Sequence, residues 1–194
     1  MNLRLFRLNP PGSLNAVRFR QCVRISWTFC SKSVCLKFER SNTLRGMATF
    51  TQILYHIVFS TKDRRRVFDA ERRPELFRYT WGILENKKCH LYRINGVADH
   101  IHILTSLHPT LALSDLVHDL KLATSDWIKD KQIFPNFDFW QEGYGAFTVS
   151  WNDRDSVIEY IKSQPEHHKQ VSFRDEYVVL LQKFGVEYEE RYLI

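Results

Sequence analysis

The chain has 194 residues, 44% of them hydrophobic, and a formal charge of +6, enough apolar sequence for one globular domain with a full core. No apolar run approaches the ~20 residues that span a bilayer, which argues against a helical membrane protein. The charge is uneven: residues 1–46 hold nine Lys/Arg against the single Glu39, a net of +8, while the other 19 bases and 21 acids leave −2.

Residues 1–46 carry Pro10-Pro11-Gly12, scattered arginines and three cysteines, Cys22, Cys30 and Cys35, with no sustained hydrophobic period. They lack the apolar stretch and small-residue cleavage site of a secretory signal. Three cysteines without a patterned partner set give no zinc or disulfide framework. The expectation is a basic, disordered leader, or a mis-assigned start with Met47 as the natural one; a basic arm that holds nucleic acid is the functional alternative. The domain is expected over 47–194.

From Met47 the pattern becomes regular. Gln52–Ser60 is β-branched and aromatic and predicts a strand. Ala70–Lys87 places Phe77, Trp81 and Leu84 at helical spacing, with Pro74 in the first turn. Cys89–Val97 and His100–Leu107 predict two strands joined tightly near Gly96–Asp99, with Cys89 as a small core residue. Leu113, Leu116, Val117, Leu120 and Trp127 mark a long helix, and Phe147–Trp151 a short strand. Asn152 or Asp153 would cap a helix carrying Val157, Ile158 and Ile161. A last helix, about Ser172–Phe184, buries Phe173, Tyr177, Leu180, Leu181 and Phe184 and ends at Gly185. The order β-α-β-β-α-β, then helices, gives an α+β fold class: a ferredoxin-like split β-α-β antiparallel sheet with helices on one face and extra C-terminal helices. Its other face would be free for a ligand or a partner chain.

His100-Ile101-His102 is the most chemical stretch. Side chains alternate along a strand, so both imidazoles point the same way, roughly 7 Å apart, and can converge on one divalent metal ion. Eight histidines in the chain make an accidental pair unsurprising; its company decides. Tyr160 and Gln164 are neighbours on a helix face, flanking the buried stripe. A strand-borne histidine pair with a helix-borne tyrosine and glutamine suits metal-assisted phosphoryl transfer, with Mg²⁺ or Mn²⁺ on phosphate oxygens. Pro165 should kink or stop that helix, so His167 or His168 could replace or supplement the amide.

The succession Gly96–Leu104 (GVADHIHIL), Trp140–Phe147 (WQEGYGAF) and Tyr160–Gln164 (YIKSQ) resembles the single-tyrosine HUH transposases of insertion-sequence-200-like elements, including those associated with repetitive extragenic palindromes. The likeness runs from about Thr49 to Ile194. It implies His100 and His102 as the metal pair, Tyr160 as nucleophile and Gln164 as third ligand from the same helix. It further implies cleavage of single-stranded DNA through a 5′-phosphotyrosine with a free 3′-hydroxyl, recognition of DNA hairpins, a homodimer, and action in the bacterial cytoplasm with no membrane partner.

DNA contacts are expected at Lys62, Arg64 and Arg65, with Arg66 beside them, and at Lys121 on the polar side of the second helix. Trp140, Tyr144 and Phe147 offer faces for an unpaired base. The alternatives are a host-retained hairpin-binding protein without transposition and a ferredoxin-like RNA-binding module, which would want paired aromatics on adjacent strands. A two-motif phosphoesterase fails for lack of a second histidine motif, and a zinc deaminase for lack of its Cys-x-x-Cys.

Overall fold

A computed structural model of the chain describes residues 50–193; the basic segment 1–46 and its three cysteines lie outside them. In chain order the elements are β1 (Leu54–Ser60), α1 (Arg73–Asn86), β2 (Leu91–Gly96), β3 (His100–Ser106), α2 (Leu113–Lys131), β4 (Gly145–Thr148), α3 (Arg154–Lys162), α4 (Gln164–His167) and α5 (Phe173–Lys183), with 3₁₀ turns at Lys62–Arg64 and Glu190–Tyr192. The four strands pair antiparallel in the order β2-β3-β1-β4. This is the split β-α-β sheet expected from the sequence, and β3, which carries the histidine pair, is an inner strand.

Alternation along the inner strands divides the molecule. Ile57, Phe59, Ile101 and Ile103 face α1 and α2 and pack with Leu76, Leu84, Leu116, Leu120, Ile128, Phe134 and Trp140. Val58 and Phe147 on the opposite face pack with Phe173, Leu180 and Leu181 of α5. Leu54 and Leu104 pack there with Ile161 of α3. The second face is therefore not free: the C-terminal helices cover it, because their apolar stripes need the same burial.

Several boundaries shift for local reasons. The strand expected from Cys89 begins at Leu91, and Cys89, a buried free thiol, lies in the turn after α1. The final strand sits at Gly145–Thr148 instead of Phe147–Trp151, leaving Trp151 half exposed in the turn before α3. Asp153 stands at the N-cap of α3 but does not cap it by its side chain; its carboxylate accepts the Ser150 hydroxyl at 2.6 Å. At α5 the expected cap is present, since Ser172 Oγ accepts from the Asp175 amide. Gly185 ends that helix with φ +63°, a left-handed conformation glycine adopts without strain.

The break between α3 and α4 matters most for the site. Pro165 has no amide hydrogen to give the preceding turn, and α3 ends at Lys162. The freed carbonyls are not left bare. Asn95 of β2 donates from Nδ2 to the carbonyl oxygens of Ile161 and Lys162, each at 3.0 Å. Gln164 consequently opens a separate short helix instead of continuing that of Tyr160.

Candidate active site

The strand half of the site is buried. His100 and His102 are both 0% exposed, on one face of β3 as the period of two requires. Asp99 Oδ1 accepts a hydrogen bond from His100 Nδ1 at 2.7 Å. Burial works to raise Asp99, yet that hydrogen bond holds its carboxyl below the usual carboxylate range. Burial lowers His100 to about 4, so the ring is neutral at pH 7. With its hydrogen on Nδ1, its Nε2 presents a lone pair. Phe173 stacks on this ring at a centroid distance of 4.1 Å. Across the sheet, His56 of β1 places Nε2 3.0 Å from His102 Nδ1. Burial, with help from His102, pushes His56 down to about 3, so it is a neutral partner that orients the second imidazole.

The helix half closes over these rings from α3, α4 and α5. At its centre is Glu176, 3% exposed. Its Oε1 accepts hydrogen bonds from the Tyr160 hydroxyl and from Gln164 Nε2 at 2.7 Å. Its Oε2 lies 3.0 Å from His168 Nε2. Burial opposes ionisation of Glu176, but the His102 and His168 imidazoles hold its carboxyl far below the ordinary range. Burial first, and then the Glu176 carboxylate, hold the Tyr160 phenol well above its ordinary value. Burial works to lower His168, while its hydrogen bond to Glu176 carries it above the usual imidazole value.

The donor set fits a divalent metal ion. His100, His102, His168 and Glu176 each offer a ligand atom, and these atoms all lie within 4.8 Å of one another. Two ligands of one ion bonded at about 2.1 Å lie roughly 3–3.5 Å apart; Glu176 Oε2 is 3.6 Å from His100 Nε2 and 3.5 Å from His102 Nε2. Nε2 of both histidines and Oε1 of Gln164 are buried with no hydrogen-bond partner among the described residues. Buried polar atoms in that condition are costly unless something binds them.

The structure thus brings His100, His102, Tyr160 and Gln164 together, with Gln164 arriving on α4 and not on the helix of Tyr160. Sequence reasoning missed Glu176, His56 and Asn95. Glu176 sits within Phe173–Lys183, whose charged residues look like a solvated face, and neither His56 nor Asn95 belongs to a local motif.

The expected DNA contacts divide. Arg64 and Arg66 line a cleft of about 440 Å³ with Arg73 and Lys169, and Asp99 and His168 border it. Lys62 lies over the Phe139 ring at 4.8 Å, and Arg65 pairs with Asp138. Lys121 is not on a solvated face. Its Nζ donates to the carbonyls of Gln141, at 2.8 Å, and Gly143, and burial lowers it to about 8. Trp140 and Phe147 are core residues at 6% and 2% exposure, Trp140 donating to Thr124 Oγ1 at 2.8 Å. They cannot serve as stacking faces; Tyr144, 37% exposed, keeps one.

No helix of the described residues is long and apolar enough to cross a membrane. The sequence matches the family described as "Transposase IS200 like" over residues 49–164. It is 32% identical over 120 residues to the transposase for insertion sequence element IS200 of Salmonella typhimurium, covering 59% of this chain and 78% of that one. It is 29% identical over 127 residues to the ISDra2 transposase TnpA of Deinococcus radiodurans, covering 62% of this chain and 89% of the relative. A solved REP-associated tyrosine transposase bound to a REP hairpin shares the fold, with a TM-score of 0.50 at 13% identity over 64% of this chain and 73% of that one. The family match takes in the histidine pair and Tyr160 and ends on Gln164. On that match the chain belongs to the IS200-like transposases.

Proposed function

We propose that the chain cleaves and rejoins single-stranded DNA at the hairpin-flanked ends of a mobile element, with Tyr160 as the nucleophile. In cleavage a bond forms between the Tyr160 oxygen and the scissile phosphorus, and the bond from phosphorus to the 3′-oxygen breaks. The phenol loses its proton and the 3′-oxygen takes one up, leaving a 5′-phosphotyrosine and a 3′-hydroxyl that reverses the reaction. The observation that carries this reading is the convergence of the Tyr160 hydroxyl and two unpartnered imidazole nitrogens on one buried carboxylate.

His100, His102 and Gln164 would hold a divalent cation, Mg²⁺ or Mn²⁺, whose chemistry is to neutralise charge developing on the phosphate. The residues themselves do the positioning. Asp99 and His56 fix the two rings, and the Tyr160 hydroxyl is held by Glu176, so its alignment precedes the reaction. Arg64 and Arg66, with Arg73 and Lys169, offer a cleft for the phosphate backbone beside the site. Lys62, Arg65 and Lys121 would serve more as supports of neighbouring loops than as free phosphate contacts. The reading has the enzyme working as a homodimer on hairpin-bearing DNA in the bacterial cytoplasm, and the relative solved with a REP hairpin supports the hairpin partner.

The test is covalent trapping. The full chain is incubated with single-stranded hairpin oligonucleotides from its own genomic flanks and Mn²⁺ or Mg²⁺. A covalent protein–DNA band that disappears in Tyr160→Phe is expected. An adduct that persists in Tyr160→Phe, or no adduct with any flank, refutes the assignment.

A further inference from the structure

Glu176 lies on α5, beyond the residue at which the family match ends, and the set His100, His102 and Gln164 does not call for it. Its two carboxylate oxygens face different groups. Oε1 accepts from the Tyr160 hydroxyl and from Gln164 Nε2. Oε2 faces Nε2 of His100, His102 and His168 at 3.6, 3.5 and 3.0 Å.

The His100 contact is physically odd without a cation. That ring gives its Nδ1 hydrogen to Asp99, so in its neutral form Nε2 has only a lone pair. A nitrogen lone pair and a carboxylate oxygen then face one another at 3.6 Å in a site where both residues are almost wholly buried. Such an arrangement is repulsive in a low-dielectric interior and becomes favourable when a positive ion lies between the two atoms. Gln164 cannot relieve it, because its amide nitrogen is already engaged by Oε1; that hydrogen bond instead turns Oε2 toward the imidazoles.

Building on the metal-assisted reading above, we propose that Glu176 is a ligand of the divalent ion through Oε2 and a tether of the Tyr160 hydroxyl through Oε1. One carboxylate then joins the ion to the nucleophile, and Gln164, a ligand through its free Oε1, orients that carboxylate through Nε2. His168, whose Nε2 hydrogen-bonds Oε2 at 3.0 Å, becomes a further nitrogen donor only on giving up that ring proton. Three imidazoles and a carboxylate favour a later first-row ion such as Co²⁺ over Mg²⁺, whose preferred ligands are oxygens and water, with Mn²⁺ between the two.

The experiment is Mn²⁺ binding to the full chain, read by electron paramagnetic resonance, with no DNA present. Glu176→Gln is expected to weaken Mn²⁺ at least about ten-fold and His100→Ala to abolish binding, with circular dichroism reporting the fold of each. Mg²⁺ should displace Mn²⁺ only in large excess. Wild-type affinity in Glu176→Gln, with binding lost in His100→Ala, overturns the role of Glu176 and leaves the metal-assisted reading standing. A wild-type chain that binds neither Mn²⁺ nor Co²⁺ overturns both. Anomalous diffraction from Mn²⁺-soaked wild-type crystals decides the matter independently of how the variants fold: a peak bonded to Glu176 Oε2 is expected, and one bonded only to His100, His102 and Gln164 refutes the proposal.

Discussion

Asp99→Asn isolates the simplest electrostatic claim about the site, that a carboxylate behind His100 sets which ring nitrogen faces inward. The substitution keeps the shape and leaves untouched the Asp99 main-chain carbonyl, which accepts from the Thr61 amide at 2.7 Å and from its hydroxyl at 3.1 Å. What changes is the acceptor of the 2.7 Å hydrogen bond from His100 Nδ1. A hydrogen bond to a charged partner contributes about 1.5–3 kcal/mol and a neutral one about 0.5–1.5 kcal/mol. The loss of roughly 1–1.5 kcal/mol in holding the ring corresponds to about ten-fold in ion affinity. A second effect adds to it. An asparagine can turn its amide to donate to Nδ1, which drives the ring hydrogen onto Nε2 and removes the inward lone pair. Mn²⁺ affinity by isothermal titration should therefore fall about 10–100-fold, with the thermal melt lowered by only about 2–6 °C. Affinity within about two-fold of wild type would mean that Asp99 does not set the ring, and the reasoning about His100 would be wrong.

Two further outcomes test the scaffold. Gly96→Ala would bring a Cβ to 2.3 Å from the His100 carbonyl oxygen and 2.9 Å from Ile101 Cα; both atoms are backbone, so urea denaturation should show a loss of about 3 kcal/mol or more, and a loss under about 1 kcal/mol contradicts the close approach at the β2–β3 turn. Lys121 has a folded value near 8 against an ordinary 10.5, chiefly from burial, so the unfolded chain binds more protons between those values and stability rises with pH across that window. Lys121→Met should remove this rise, and a wild-type melting temperature that falls relative to the variant from pH 8 to 10 refutes the buried ammonium.

The sequence disclosed those parts whose physics is local. A two-residue period needs no tertiary knowledge and places His100 and His102 on one strand face; helical spacing puts Tyr160 and Gln164 on one helix, whereas Gln164 opens α4 and the two side chains meet at Glu176 Oε1. Pro165 was legible as a stop, though not its remedy, since Asn95 reaches the freed carbonyls from a strand 66 residues earlier in the chain. Glu176 was illegible for the same reason. In Phe173–Lys183 it is one acid among several polar residues, and only packing against β3 turns it inward. Lys121 was misjudged because a lysine beside polar neighbours looks solvated; the loop carbonyls that hold it arrive some twenty residues later. Trp140 and Phe147 show that aromatic content by itself does not distinguish a platform for bases from core.

The alternation along β3 has a consequence for how this enzyme can vary. His100 and His102 face the candidate site while Ile101 and Ile103 face α1 and α2, so site and core are written on opposite sides of the same four residues. A slip of one position in pairing with β1 would exchange the two sets, placing isoleucines in the candidate site and imidazoles in the core. No partial version of that error exists: the chain either forms this register and gains both core and site, or loses both. Variation in chemistry must therefore enter through the helices that close over the sheet, where α4 and α5 contribute donors the strand leaves unfixed.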